Sequence, residues 1–171
     1  MKGDSIMDEN TPVQTTTDPK QECLGLMNKL LATLTVFERN VKILHWNYQY
    51  KDFLSVHTWL DDVHDDVCEC IDTIAEEIRK GDFFPDATLQ QCIENTGTPQ
   101  INSNVRYGHK ETFNVLARGL SSIRVLADML STKADENKFW TIQDVANGIL
   151  SKMNHHMYFV KGSFKQDDDD D

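Results

Sequence analysis

"FLSVHTWLDDVHDDVCECIDTIAEEIRKG", running from Phe53 to Gly81, decides the fold. Val56, Leu60, Val63, Val67, Ile71, Ile74 and Ile78 recur at three- and four-residue steps, which gathers them into one stripe of an α-helix. Asp52 stands at the N-cap position, and Gly81 stands where a helical stop is wanted. Acids and histidines fill the remaining surface, so the stretch predicts an amphipathic helix over 53–80.

Three other segments carry the same period. One spans about Gln21 to Tyr48, with Leu24, Met27, Leu31, Leu34, Val41 and Leu44 on its stripe. Another spans about Arg106 to Thr132, with Phe113, Leu116, Leu120, Ile123, Ala127 and Leu130. The last, about Thr141 to Lys161, is marked by Val145, Ile149, Met153, His156 and Val160. In the long connection after Gly81, the stretch from Asp86 to Asn95 predicts a short extra helix capped by Asp86. No alternating strand pattern with hairpin turns occurs, so the expected class is all-α, a four-helix bundle. A crossover in the long connection would separate it from simple up-down packing.

The composition narrows the function. With 171 residues, 39% of them hydrophobic, the chain suits one compact core. Residues 1–20 are polar and aperiodic and read as a flexible tail, 21–164 as the helical domain, and 165–171 as an acidic tail that is either native or an appended tag. The balance of 28 acids against 17 bases gives a net charge of −11, which repels phosphate backbones and anionic lipid and favours cations. The N-terminus has no signal-like apolar run and the chain no membrane-length one, so a soluble, cytoplasmic protein is expected. Cys23, Cys68, Cys70 and Cys92 lack paired zinc-site spacing and read as reduced thiols; Cys68 and Cys70 diverge by about 200° on a helix.

His45 and His57 lie equally far from Lys51, the midpoint of the first turn, so an antiparallel hairpin brings them level. Asp61 follows His57 by one helical turn, and imidazole with carboxylate suits a divalent transition metal. Asp72 and Glu76 form a second pair eleven residues further on, within about 20° of the same face but roughly 16 Å along the axis. One ion cannot span that distance. A second copy of the helix lying antiparallel would bring its own Asp72 and Glu76 to the first copy's His57 and Asp61, giving two shared sites in a two-fold dimer. Ordinary surface i,i+4 contacts account equally for each pair taken alone.

Taken together, His45-Trp46-Asn47, His57, Asp61, Asp72 and Glu76, with steps of twelve, four, eleven and four, resemble the signature of the Dps family, the mini-ferritins. The likeness is strong from Leu44 to Pro85 and collinear through the later helices. It implies a ferritin-like four-helix bundle with a short extra helix between the second and third helices, assembled from two-fold dimers into a hollow dodecamer. It further implies a ferroxidase that oxidises ferrous iron, preferably with hydrogen peroxide, at di-iron sites and stores a ferric mineral core. His45, His57 and Asp61 would come from one subunit and Asp72 and Glu76 from its mate. Trp46 would be a radical trap, or packing at the helix end. Asp144 would line an iron-entry pore, or stabilise its own helix N-terminus. The alternative is a non-catalytic helical shell or interaction protein that keeps the look of the site. An oxygenase-type bundle is disfavoured because the chain contains no Glu-x-x-His motif.

Several residues remain outside that signature. His64 and Cys68 share the metal-facing side of the second helix near the middle of the 57–76 span, where they fit an interface contact or, for His64, an added ligand or pH-sensitive contact. His155 and His156 diverge by about 100°, so one packs and the other is solvated. The N-terminal tail sets Lys2 and Lys20 against Asp4, Asp8, Glu9 and Asp18, and five aspartates close the chain, so direct DNA binding is not expected.

Overall fold

Each apolar stripe becomes a helix of 28 or 29 residues: α1 (Pro19–Asn47), α2 (Phe53–Lys80), α4 (His109–Glu136) and α5 (Trp140–Asp167), with the short α3 (Leu89–Asn95) between α2 and α4. The structure, a computed structural model, describes residues 18–167. The tail expectations for residues 1–17 and for the last four aspartates lie outside the described residues.

Local chemistry sets the boundaries. Pro19 opens α1, and the Asp18 carboxylate accepts from the Lys20 N–H at 3.1 Å. Asp52 occupies the α2 N-cap position but makes no side-chain cap; its carboxylate instead meets the Tyr48 hydroxyl and, at 3.1 Å, His109 Nδ1. Gly81 ends α2 with an ordinary φ of −81°, and the left-handed residue is Asp82, at 63°. The cap of α3 is a correction to the sequence reading: Thr88 and Gln91 form a reciprocal capping box there. Asp86 lies outside the helix because its N–H is bound to Asn28 Oδ1 at 3.0 Å and its carboxylate receives Gln91. α4 begins three residues after Arg106 because Tyr107 pairs its backbone with Asn47 and Gln49 in a short bridge. α5 continues six residues beyond Lys161.

α1 packs on α2 and α4, and α5 on α4 and α2, while the backbones of α2 and α4 stay apart at opposite corners of the bundle and meet through side chains such as the stacked rings of Trp59 and Phe113. The connection between them runs along α1 from Asn28 to Asn47. Gly97 N–H binds Thr33 Oγ1 at 2.8 Å, and Asn40 grips the Pro99 carbonyl and the Ile101 N–H at 2.9 and 3.1 Å. The buried polar residues Asn28, Thr33 and Asn40 are thus sockets for a backbone that would otherwise leave its groups unpaired. This crossover delivers α4 parallel to α2 and gives the chain the ferritin-like helical topology.

The core is sealed by Leu34, Phe37, Leu44, Leu60, Val67, Ile74, Leu116 and Leu120, each fully buried side chain contributing about 1.5–3 kcal/mol of transfer free energy. At Gly119 a Cβ would come within 2.2 Å of the Phe37 ring, so the glycine is what lets α1 and α4 close. Among the described residues no helix is long and apolar enough to cross a membrane.

Candidate metal centre

His45 lies in the last turn of α1 and His57 in the second turn of α2, and the short turn stacks their rings with centroids 3.7 Å apart. Each Nδ1 lies 3.0 Å from the other residue's backbone carbonyl oxygen. A carbonyl only accepts, so both Nδ1 atoms carry the proton and both Nε2 atoms present lone pairs. The bond also satisfies the His45 carbonyl, one of the orphans at a helix C-terminus. Phe53 stacks on the outer side of His57 at 4.9 Å. Burial lowers the His45 pKa, against the opposing pull of the His57 carbonyl and Asp61, and so favours the neutral, ligating form.

Asp61, one turn beyond His57, accepts a hydrogen bond from Lys42 Nζ at 2.8 Å, and the same oxygen lies 3.4 Å from His45 Nδ1. That lysine bond holds the Asp61 carboxyl below the usual carboxylate range. Lys42 was not anticipated, although it lies one turn before His45 and nearly level with Asp61 across the hairpin.

One chain therefore brings His45, His57 and Asp61 together. Asp72 and Glu76 are exposed further along α2, eleven and fifteen residues past Asp61, and do not join them within the chain. Trp46 is 61% exposed, so it does not pack within this chain. Asp144 is exposed near the start of α5, beside a groove lined by Glu69, Cys70, Thr73 and Lys152.

Two further clusters flank α2. Toward α1, His64 Nε2 lies 2.9 Å from Glu38 Oε1 and 3.5 Å from Cys68 Sγ. Burial, with Glu38 and Asp65 adding to it, pushes the Cys68 thiol pKa up. Toward α5, Asp66 accepts from Lys152 at 2.5 Å and from His156 Nε2 at 2.8 Å. His156 is buried and His155 exposed, as their divergence on a helix requires. All four cysteines are free; Cys70 faces the core and burial raises its pKa to about 12, whereas Cys68 stands on the outer side.

The ferritin-like domain family matches residues 24–168. Among curated relatives, general stress protein 20U of Bacillus subtilis is 23% identical over 146 residues, covering 82% of this chain and 96% of that protein. A DNA protection during starvation protein of Listeria innocua is 27% identical over 74 residues, 43% of this chain and 47% of that one. Over such shorter matches the chain spans about half the length of its relatives. In structure the chain is similar to a Dps protein from Vibrio cholerae, described as a member of a broad superfamily of ferritin-like diiron-carboxylate proteins. That similarity has a TM-score of 0.79 at 18% identity, covering 92% of this chain and 98% of that one.

Proposed function

The chain belongs to the ferritin-like domain family, and on that premise we propose that it is a mini-ferritin that oxidises ferrous iron and stores the ferric product. The observation that carries this reading is the wiring of the histidine pair: both Nδ1 protons are engaged by carbonyls, which leaves both Nε2 lone pairs uncommitted, and Asp61 Oδ1 lies 3.4 Å from His45 Nδ1. Neutral imidazoles hold ferrous iron without saturating it, and carboxylates favour the harder ferric ion.

His45, His57 and Asp61 of one subunit and Asp72 and Glu76 of the partner subunit make up each site. Antiparallel pairing of α2 about its middle places them at the same height. Two ferrous ions each give one electron to a single hydrogen peroxide, which takes up two protons and leaves as two waters, so no hydroxyl radical is released. Peroxide is the preferred oxidant, and two-fold dimers assemble into a hollow dodecamer that holds the mineral and protects the cell from oxidative damage. Trp46 intercepts stray radicals, and Asp144 lines the pore through which iron enters. The acidic chain does not bind DNA directly at physiological salt, and a gel shift at low protein concentration would overturn that.

The test is anaerobic ferrous iron followed by peroxide, reading ferric absorbance and solubility. Wild type should form a soluble ferric core. A His57→Ala, Asp61→Ala variant and an Asp72→Ala, Glu76→Ala variant should each be slower by about tenfold or more. Mixed oligomers of the two variants should regain activity, because each such dimer holds one intact site. Equal rates in all proteins would leave a non-catalytic shell, and failure of the mixture to recover would refute sharing between subunits.

A further inference from the structure

We propose that Glu38, His64 and Cys68 form a second cation site, separate from the iron centre, that takes a zinc-class divalent ion. The three residues offer a carboxylate oxygen, an imidazole nitrogen and a sulfur that all lie within 4.8 Å of one another. Glu38 comes from α1, while His64 and Cys68 stand one turn apart on α2. The Glu38 and His64 side chains are only 16% and 19% exposed, and Cys68 is half-buried, so the groups face one another rather than bulk water.

The hydrogen-bond wiring points to a cation between them. His64 Nδ1 lies 3.2 Å from the exposed Asp65 Oδ1 and Nε2 lies 2.9 Å from Glu38 Oε1, so both ring nitrogens face a carboxylate acceptor although the neutral ring carries one proton. Nε2 also lies 3.5 Å from Cys68 Sγ, and with a single ring proton one nitrogen is left directing its lone pair at a carboxylate. Two lone pairs at that distance repel unless a positive charge lies between them. A proton on Nε2 would serve the carboxylate alone, whereas a metal ion also engages the sulfur.

Tetrahedral zinc with bonds of about 2.0–2.3 Å needs its ligand atoms roughly 3.3–3.7 Å apart, which small rotations of these side chains supply. Thiolate with imidazole selects zinc over ferrous iron, and zinc, having no redox chemistry, would shield the thiol from peroxide. The site has no residue in common with the iron centre. All its ligands come from one chain, so it stands without the subunit pairing. On the proposed pairing, His64 and Cys68 flank the α2 crossing.

Cobalt(II), a spectroscopic substitute for zinc, tests this in the metal-free full chain under anaerobic conditions. Wild type should show a thiolate-to-cobalt charge-transfer band saturating at one ion per chain and bleached by zinc. Cys68→Ser, checked for helix content by circular dichroism, should lose the band while oxidising iron as wild type does. Glu38→Gln and His64→Ala should weaken cobalt binding by about tenfold or more, and His57→Ala should keep it. Absence of the band in wild type, its persistence in Cys68→Ser, or its loss in His57→Ala would each overturn the site. Wild type that shows the band yet fails to oxidise iron would refute the ferroxidase reading and leave this one standing.

Discussion

On each of two sides of α2 one of its aspartates meets a lysine and a histidine, and the two groups are wired in opposite senses. Toward α5, Asp66 is closed: Lys152 donates to one carboxylate oxygen and His156 Nε2 to the other. Burial alone would raise the Asp66 pKa, but these two bonds bring it below the ordinary value. Toward α1, Lys42 donates to Asp61, yet both ring protons of the histidine pair go to backbone carbonyls, and the Nε2 atoms stay available. Residue types are the same on both sides. The direction of the protons separates a structural tie from a place that can receive a cation.

The largest effect that tests this contrast is on stability. His156→Ala removes a buried ring and a charge-assisted bond, and should cost about 2–4 kcal/mol by urea unfolding while leaving iron oxidation at the wild-type rate. A parallel fall in oxidation would mean that the two sides act as one site.

A smaller effect should follow pH. Burial lowers the pKa of both His45 and His156, while in the unfolded chain each returns to about 6.5. Between their folded values and 6.5 the unfolded state binds more protons, so stability falls as pH drops through that window. The depressed Asp66 carboxyl extends the loss below about pH 4. The urea midpoint should be lower at pH 5 than at pH 7, with a shallower dependence in His156→Ala; a midpoint that rises toward pH 5 would contradict the closed wiring.

The smallest change is expected on the open side. The Lys42 and Asp61 side chains are 22% and 47% exposed, so their ion pair is worth no more than about 0.5 kcal/mol. Lys42→Met should therefore unfold almost as wild type does while binding ferrous iron more tightly in anaerobic calorimetry, since Asp61 loses its competitor. Weaker binding would make Lys42 part of the centre instead of a placeholder.

Much of this was legible in the residues. The α2 bounds followed from its stripe and flanking residues, and the level placement of His45 and His57 followed from their equal distance from Lys51. The same count applies to Glu38 and His64, each thirteen residues from Lys51, but a lone glutamate on a half-exposed helix carries no mark of its partner. Lys42 was missed for the same reason. Asn28, Thr33 and Asn40 were unreadable because their partners arrive with the crossover. The α3 cap was misplaced because Asp86 and Thr88 both fit a cap locally, and only Asn28, held by a distant helix, decides between them. Asp72 and Glu76 stand apart from the histidine pair within one chain, so their proposed role depends on a second chain.

The route of the crossover has a consequence for the order of folding. Its anchoring bonds to Asn28, Thr33 and Asn40 join residues 58 to 64 positions apart, whereas the bonds of the histidine pair join residues only 12 apart. Closing the longer loops costs about 1.4 kcal/mol more in chain entropy than closing the shorter one. During synthesis the α1–α2 hairpin is also complete before the first residue of α4 leaves the ribosome. The paired imidazoles therefore belong to the early, fast-forming part of the molecule, and the polar sockets on α1 wait in water until the strap is laid across them.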